Sequence, residues 1–372
     1  MHLCKLDTSR VQDVRRWIEF PFHLYRDCPQ WVPPLMGEAR KILDRRTHPF
    51  YRHSVADFFV VESREGVLGR IAVMENRSYN TFRGIKTAFF GFFEVVEEKD
   101  IAGELLGAAC EWASGRGLDT LIGPRGLIGT DGGGVLVEGF EHCPAMGIPY
   151  NYPYYHTFLE AAGFEKDTDH LSGYLPISHQ VPERIHEIAE KVKLRRGLWV
   201  KSFSSKAEMR QWVPRVAKVH AQAFAETHTF YPPSEAEMAT IAGTLIDIAD
   251  PLLIKLVMKG EDVVGFIFAY HDISAALQKT GGRLWPLGWY TLLQERKRTK
   301  WVNVNGVGLL PAYQGLGGNA LLYSELEKSL RTFDFEHVEV VQVNEKNYAS
   351  HADMEAIGVR WYKRHRSYQR GL

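Results

Sequence analysis

The chain has 372 residues and a mass of 42.4 kDa, a length that favours two domains of ordinary size. Hydrophobic residues make up 45% and charged residues 24%, which is typical of globular proteins and excludes a disordered chain. Lys plus Arg and Asp plus Glu both number 45, so the formal net charge is zero. No overall charge therefore favours nucleic acid or an anionic membrane, and we expect neither as a partner.

The cysteines and histidines show no metal-binding or disulfide pattern. The four cysteines lie far apart without a CxxC pair. His220 and His228 have an eight-residue spacing that matches no zinc motif. We therefore expect no metal. The sequence also contains neither a signal-peptide core nor a long uncharged apolar segment, so we expect a cytoplasmic protein.

The first half of the chain predicts a hairpin, a third strand, a helix and a fourth strand. Aromatic and β-branched residues flank a turn that contains Gly66, and a later segment places apolar residues at helical spacing. The predicted strands are residues 56–62, 67–75, 87–96 and 118–123, and the predicted helix is residues 100–116.

The second half repeats this order of elements. Each half then ends with a predicted helix that stops at a glycine, Gly163 in the first half and Gly358 in the second. We interpret the chain as two diverged copies of one α/β unit. The second copy's predicted strands are residues 251–259, 263–270, 301–310 and 337–343, and its main predicted helix is residues 318–331.

The two copies predict the domain organisation. We expect a first domain over residues 1–180, a linker region over residues 181–200, and a second domain over residues 201–372. Residues 124–149 and residues 271–300 have no counterpart in the other copy. Insertions of this length are usually functional, so we expect substrate or interdomain contacts there.

Within the first of these insertions, Gly132 to Gly134 follow Thr130 and Asp131. They lack the Lys-Ser or Lys-Thr pair of a phosphate-binding P-loop. The sequence here favours a turn over a nucleotide site.

The stretch from Pro311 to Ala320 (PAYQGLGGNA) joins a predicted strand to a predicted helix. Gly315, Gly317 and Gly318 would let the backbone approach a ligand closely. The free N–H groups of a first helical turn bind phosphate well. This pattern is typical of a pyrophosphate-binding loop, although a tight turn without a ligand would have the same sequence.

Gln314, Gly317 and Asn319 occupy the first, fourth and sixth positions of the pattern [QR]-x-x-G-x-[GA], with Asn319 standing where Gly or Ala is usual. Through this loop and the order of its flanking elements, the second copy resembles the GNAT superfamily of acyl-CoA-dependent N-acyltransferases. The resemblance implies an α/β (α+β) fold of two tandem GNAT-like units, whose mixed, mostly antiparallel sheets are flanked by helices. It also implies acetyl-CoA or another acyl-CoA as co-substrate. The residues expected to contact it are Leu309, Leu310, Gln314, Gly315, Leu316, Gly317, Gly318, Asn319, Ala320 and Asn347.

The first copy has a charged segment, residues 97–100 (EEKD), where this loop would lie. Acidic side chains at a helix N-terminus repel phosphate, so we expect the first copy to bind no acyl-CoA. Through residues 151–155 (NYPYY) and residues 281–284, the whole chain also resembles tandem GNAT-like proteins of unassigned function.

Acyl transfer to an amine requires an oxyanion donor, a base and a proton for the leaving thiolate. The resemblance places the oxyanion donor at a backbone N–H near Gly308 or Leu309. The tyrosine acid that is frequent in the family is replaced by Met354 in the second copy and by Leu159 in the first. Catalytic candidates are Asn305, Glu345 and Tyr368. An asparagine can orient a substrate but cannot accept a proton.

These observations predict an N-acyltransferase that moves an acetyl or other acyl group from acyl-CoA to an amine of a small molecule or peptide. The alternative is a catalytically inactive GNAT-like module that uses the aromatic residues 284–293 as an interaction surface. A third interpretation is aminoacyl transfer from a charged RNA. That activity would require a basic groove, which only residues 296–300 could provide.

Overall fold

The computed structural model describes residues 1–128 and 132–372, so Thr130 and Asp131 of the glycine-rich insertion lie outside the described residues. The strands are β1 (His2–Lys5), β2 (Val55–Ser63), β3 (Gly66–Glu75), β4 (Thr87–Val95), β5 (Thr120–Gly123), β6 (Val135–Glu138), β7 (Glu165–Pro176), β8 (Leu198–Lys201), β9 (Ile254–Lys259), β10 (Asp262–His271), β11 (Trp301–Leu309), β12 (His337–Asn344) and β13 (Arg360–Gly371). The helices are α1 (Val11–Leu24), α2 (Met36–Leu43), α3 (Arg77–Arg83), α4 (Lys99–Ser114), α5 (Tyr154–Ala161), α6 (Glu183–Arg196), α7 (Lys206–Ala223), α8 (Glu235–Ile248), α9 (Ser274–Thr280), α10 (Gly288–Arg298), α11 (Gly318–Leu330) and α12 (Tyr348–Ile357). The predicted α/β class is confirmed.

The chain divides into two compact units, which are described separately. Unit 1 consists of Met1–His170, Ser274–Glu295 and Lys363–Leu372, and unit 2 consists of Leu171–Ile273 and Arg296–Tyr362. Unit 1 thus contains most of the second insertion, residues 271–300, and most of the last strand of the second sequence copy. The boundaries predicted at residues 180 and 200 follow the sequence copies and stay a prediction.

Unit 1 contains a mixed sheet in the order β1-β2-β3-β4-β5-β13, with β6 beside β13. The β4–β5 pair is parallel, whereas the β1–β2, β2–β3, β3–β4, β5–β13 and β6–β13 pairs are antiparallel. Apolar side chains of α4, among them Leu105 and Trp112, pack on one face of the sheet with Phe90 and Tyr155. Tyr368 of β13 joins the same core, so this strand forms part of the packing of unit 1.

A buried carboxylate ties β13 to the beginning of β7 in unit 1. Asp169 is fully buried and accepts hydrogen bonds from Arg366 Nε at 2.8 Å and from Arg364 Nη1 at 3.1 Å. Burial alone would raise the pKa of Asp169. Hydrogen bonds from Arg366, Lys166 and Arg364 outweigh that effect and lower the pKa to about 2. This carboxyl group is therefore ionised at neutral pH.

Unit 2 contains the sheet order β7-β12-β11-β10-β9-β8. The β8–β9, β9–β10 and β10–β11 pairs are antiparallel, whereas the β11–β12 pair is parallel. Val257 packs in the core formed with α6 and α11, and its neighbours Leu256 and Met258 pack with α7 and α8. Because successive strand residues point to opposite faces, the two helix pairs cover opposite faces of this sheet.

Most predicted elements agree with the structure to within one or two residues. The strand predicted from residue 251 is an exception, because Pro251–Leu253 forms a 3-10 turn capped by Asp250 and β9 begins at Ile254. The second insertion is also more regular than expected, since it contains the helices α9 and α10. None of the described helices is both long and apolar enough to cross a bilayer.

Candidate functional site

Strand β11 carries a bulge and then separates from β12. Its register with β10 shifts between Val304 and Val307, where Gly306 has a φ of 101° that glycine adopts readily. Strand β12 pairs with β11 only as far as Val304. Residues 307–309 therefore pair with β10 on one side, while on the other side β12 no longer pairs with them and a gap opens between the two strands.

The backbone of this edge directs a hydrogen-bond donor into the gap. The Leu310 N–H donates to the Val264 carbonyl at 2.9 Å. Because N–H groups alternate along a strand, the Leu309 N–H points the other way, into the gap. Within residues 1–128 and 132–372, no strand pairs with Leu309 on that side, and no turn or loop carbonyl accepts a hydrogen bond from its N–H. The Leu309 carbonyl accepts a hydrogen bond from Gln314 Nε2 at 3.2 Å, which fastens the following loop to the strand end.

The loop after β11 leaves a helix N-terminus open. Gly315 and Gly317 have φ values of 68° and 86°, and α11 begins directly after them with no acidic residue in its first turn. The backbone N–H groups of residues 315–320 have no acceptor among the residues that the structure describes. A Cβ on Gly317 would lie 2.6 Å from Val192 Cγ2 of α6, so only glycine fits there. The loop is thus a compact set of free N–H donors.

The residue that departs from the family pattern is held by a neighbouring helix. Asn319 Nδ2 donates to Asp353 Oδ2 of α12 at 2.5 Å, and the Tyr323 hydroxyl lies 3.4 Å from the same oxygen. Burial raises the pKa of both Asp353 and Tyr323. The Asn319 side chain is therefore turned toward α12.

Asn347 caps the closing helix of the second copy. Its Oδ1 accepts a hydrogen bond from the Ser350 N–H at 3.1 Å, which satisfies one free donor at the start of α12. Asn347, which the resemblance gives as an expected acyl-CoA contact, therefore also caps a helix. Ala349 and Ser350, which follow in the first turn of α12, are small and at least partly exposed.

The corresponding strand end in unit 1 is closed by two tyrosines. Val95 occupies the place of Leu309 in its own copy, since each faces a glycine of the preceding strand. The Val95 N–H donates to the Tyr155 hydroxyl at 3.0 Å, and the Tyr154 hydroxyl donates to the Val95 carbonyl at 2.7 Å. Both backbone groups that would receive a ligand are already satisfied.

Unit 1 also lacks the loop itself. Only residues 96–98 separate β4 from α4, and the first turn of α4 contains Asp100. Counting back from Gly163 and Gly358, which end the closing helices, places Tyr154 and Tyr155 level with Ala349 and Ser350. The positions of the two tyrosines that close the strand end in the first copy are thus taken by Ala349 and Ser350 in the second copy.

Buried polar side chains lie side by side on three strands of unit 2. Tyr270 on β10, Asn303 on β11 and Glu339 on β12 are direct neighbours across the sheet. Asn303 is fully buried and its Nδ2 donates to Asp272 Oδ2 at 3.1 Å, while Glu339 is 2% exposed. Burial and the nearby carboxylates of Asp272 and Glu339 raise the pKa of Tyr270, so its hydroxyl stays protonated beside Asn303 and Asn305. We call these five residues the polar cluster.

An aromatic group covers the same face of the sheet. His220 of α7 lies with its ring centroid 5.0 Å from Phe224, 5.6 Å from Phe230 and 6.2 Å from Phe266. Burial lowers the pKa of His220 to about 4, which leaves the ring neutral above that pH. Phe266 and Tyr270 are four residues apart on β10, so their side chains point to the same face of the sheet. The aromatic rings therefore lie on the side of the sheet that carries the polar cluster.

The structure places the three catalytic candidates from the sequence in different surroundings. Asn305 lies in the polar cluster, one residue beyond the last β11–β12 pair. Glu345 lies in the turn after β12. Tyr368 is 1% exposed in the core of unit 1, where its hydroxyl is 3.4 Å from Glu160 Oε1. Only Asn305 therefore belongs to the polar cluster beside the gap.

Sequence reasoning missed Tyr270, Asp272 and Glu339. The signal for Glu339 was a single carboxylate among valines in the strand sequence HVEVVQV. A charged residue in a strand with such neighbours is seldom buried unless it has partners.

The sequence and the structure of the chain were compared with those of known proteins. No family model matches the chain. Two relatives match over nearly their full lengths: Protein YghO of Escherichia coli (strain K12), 25% identical over 371 residues that cover 97% of this chain and 93% of the relative, and Bacterial ceramide synthase of Caulobacter vibrioides (strain NA1000 / CB15N), 24% identical over 370 residues that cover 97% and 95%. Among solved structures, a tandem GNAT protein from the clavulanic acid biosynthesis pathway matches 100% of this chain and 98% of its own, with a TM-score of 0.57 and 14% identity.

The chain has a tandem GNAT fold. A GCN5-related N-acetyltransferase from Sphaerobacter thermophilus also matches, with a TM-score of 0.52 and 13% identity, over 100% of this chain and 95% of its own. The resemblance predicted from the loop and the element order is therefore confirmed at the level of fold. In this tandem GNAT fold, the open gap, the glycine loop and the polar cluster all belong to unit 2.

Proposed function

We propose that the protein is an N-acyltransferase that binds one acyl-CoA in unit 2 and transfers the acyl group to an amine. The observation that carries this proposal is the open edge of β11 with its free Leu309 N–H, continued by the free N–H groups of residues 315–320. A pantetheine chain contains amides that can pair with a strand edge. The diphosphate would meet the N–H groups at the start of α11.

The donors at the gap suit the chemistry of a thioester. When the amine nitrogen bonds to the thioester carbon, negative charge develops on the carbonyl oxygen, and the Leu309 N–H is the donor we assign to it. A donor that is already oriented stabilises this charge without reorganising. As the tetrahedral centre collapses, the C–S bond breaks and the amide remains.

The polar cluster supplies a route for the proton of the amine. We assign Asn305 to orient the amine and the Glu339 carboxylate, which lies directly beside Asn303, to take up its proton. Burial and the Asp272 and Glu339 carboxylates raise the pKa of Tyr270, so its hydroxyl stays protonated. Its hydrogen bonds with Asn303 and Asn305 hold Asn305 in place. The amine thus loses one proton to Glu339, and the thiolate that leaves takes up one proton from solvent.

The acceptor that we propose is an amine with an apolar chain. His220, Phe224, Phe230 and Phe266 form an aromatic group on the face of the sheet that carries the polar cluster. One relative is named a bacterial ceramide synthase, and a ceramide is the amide of a fatty acid with a long-chain amino alcohol. An acyl group longer than acetyl is compatible with the same proposal.

Calorimetric titration with acetyl-CoA and with a long-chain acyl-CoA tests the site. We expect one site per chain for the wild type. Ser350→Tyr introduces, at the matching position of α12, the tyrosine that closes the gap in unit 1. It should weaken binding at least about tenfold, because strand-edge hydrogen bonds are each worth about 1 kcal/mol and the ring also fills space.

Ala356→Tyr is the matched control, because it adds the same ring at an exposed position of the same helix. It should bind acyl-CoA as the wild type does. Equal affinity of the Ser350→Tyr variant and the wild type, or two sites per chain, would overturn the assignment. Mass spectrometric detection of the amide formed from acyl-CoA and a long-chain amine then separates an enzyme from an inactive acyl-CoA-binding module.

A further inference from the structure

The second insertion of the sequence presents a cluster of exposed apolar side chains. Trp285 is 81% and Leu287 is 69% exposed, although both are large hydrophobic residues. Isolated exposed residues of this kind are common, whereas a contiguous group marks an interaction site. The group, which we call the aromatic surface, consists of Leu284, Trp285, Leu287, Trp289, Tyr290 and Leu293.

The base of this insertion is firmly held in unit 1. Gln278 Nε2 donates to the Pro29 carbonyl at 2.7 Å and to the Trp31 carbonyl at 3.0 Å. The Gly282 carbonyl accepts from the Met36 N–H at 2.9 Å. A Cβ on Gly282 would lie 2.0 Å from the Pro34 carbonyl oxygen, so the chain is closely packed just before the aromatic surface. The exposed side chains therefore project from an anchored segment.

Cations accompany the aromatic surface. Trp289, Leu293 and Lys297 follow one another at four-residue spacing and so lie along one line of α10. Lys297 is exposed, as are Arg283 and Arg298, and none of these three forms an ion pair with any described residue. The next cation, Arg296, is instead bound to Asp250 at 2.9 Å. The segment from Arg283 through helix α10 thus carries exposed Trp, Tyr and Leu side chains together with unpaired positive charge.

We infer that the aromatic surface docks the protein on a lipid bilayer that contains anionic lipids. Trp and Tyr favour the boundary between lipid headgroups and acyl chains, and Leu side chains enter the apolar region below it. Lys and Arg beside them attract lipid phosphates. The zero net charge of the chain predicts no such partner. That expectation averages over all charges, whereas docking depends on the charges at one surface.

This inference goes beyond the proposed acyl transfer and does not depend on it. A docked enzyme would meet an amine with an apolar chain at the place where such a molecule accumulates. The commitment to a bilayer rather than to a second copy of the chain rests on the unpaired cations, because a self-pairing surface would bring like charges together.

Co-sedimentation of the full chain with vesicles tests the inference. We expect binding to vesicles of phosphatidylcholine mixed with phosphatidylglycerol, and weaker binding to pure phosphatidylcholine or at high salt. The double variant Trp285→Ser/Leu287→Ser should bind the mixed vesicles at least about tenfold more weakly, since two large apolar side chains are lost. Leu194→Ser is the matched control, because Leu194 is an isolated leucine, 85% exposed on α6, and its loss should change nothing.

Two results would overturn the inference. One is a wild-type protein that fails to bind the mixed vesicles. The other is a Trp285→Ser/Leu287→Ser variant that retains vesicle binding but changes from dimer to monomer in sedimentation velocity, which would assign the surface to self-association. Acyl-CoA affinity measured on the same variant should equal that of the wild type, so a failure of docking is distinguishable from a failure of the acyl-CoA site.

Discussion

Replacing Glu339 with glutamine is expected to lower kcat/KM for amide formation about 10²- to 10⁴-fold, the usual cost of losing a general base. Glu339 is 2% exposed and lies directly beside Asn303, at the point where β11 and β12 begin to separate. Glutamine has nearly the same shape but cannot take up the proton of the amine. Acyl-CoA affinity should be unchanged, because the donors assigned to acyl-CoA lie on β11 and in the loop.

The informative comparison is Glu345→Gln, which removes the carboxylate in the turn after β12. That variant should keep wild-type kcat, since Glu345 lies in a turn outside the polar cluster. Thermal melts of both variants would show whether either change disturbs folding. Full activity in Glu339→Gln together with loss of activity in Glu345→Gln would favour the candidate chosen from the sequence.

Replacing Asp169 with alanine is expected to lower the free energy of unfolding of unit 1 by about 3 kcal/mol. Asp169 is fully buried between Arg364 and Arg366, and its loss leaves two guanidinium groups without their shared partner. The value stands at the lower end for a buried ion pair because the arginine side chains are 30% and 27% exposed. Urea denaturation measures it, with Glu165→Ala, an exposed carboxylate on the same strand, as the control.

The ionisation of Asp169 also predicts how the stability of the protein changes at acidic pH. Its pKa is about 2 in the folded protein, below the ordinary value of 3.8, so its stabilising effect is complete above pH 4 and is lost as the pH falls toward 2. The wild type should therefore lose more stability than Asp169→Ala over this range. Parallel losses in the two proteins would contradict the role given to Asp169.

Local sequence patterns predicted the elements around the glycine loop between β11 and α11 well. Gln314 to Asn319 lie next to one another in the chain, and the glycines there reveal a backbone requirement directly. By contrast, the closure of the first copy depends on Tyr154 and Tyr155 reaching Val95, a contact between residues 59 and 60 positions apart. Such a contact leaves no local pattern.

The polar cluster was hidden for a related reason. Tyr270, Asn303 and Glu339 come from three strands, and only the register of those strands makes them neighbours. A shift of one residue would send each side chain to the opposite face. Asn305 could be chosen from the sequence because it lies close to the glycine loop in the chain. Glu339 could not, because it lies on another strand.

The place of β13 in unit 1 also bears on how the chain is made. Tyr368 pairs with Gly123, so the sheet of unit 1 stays incomplete while the ribosome synthesises nearly all of the second copy. At ordinary rates of synthesis this interval is on the order of tens of seconds. During that time β5 has an unpaired edge, which is a template for aggregation. The nascent first copy should therefore depend on chaperones, and a gene cut between the two copies should not yield a stable amino-terminal half.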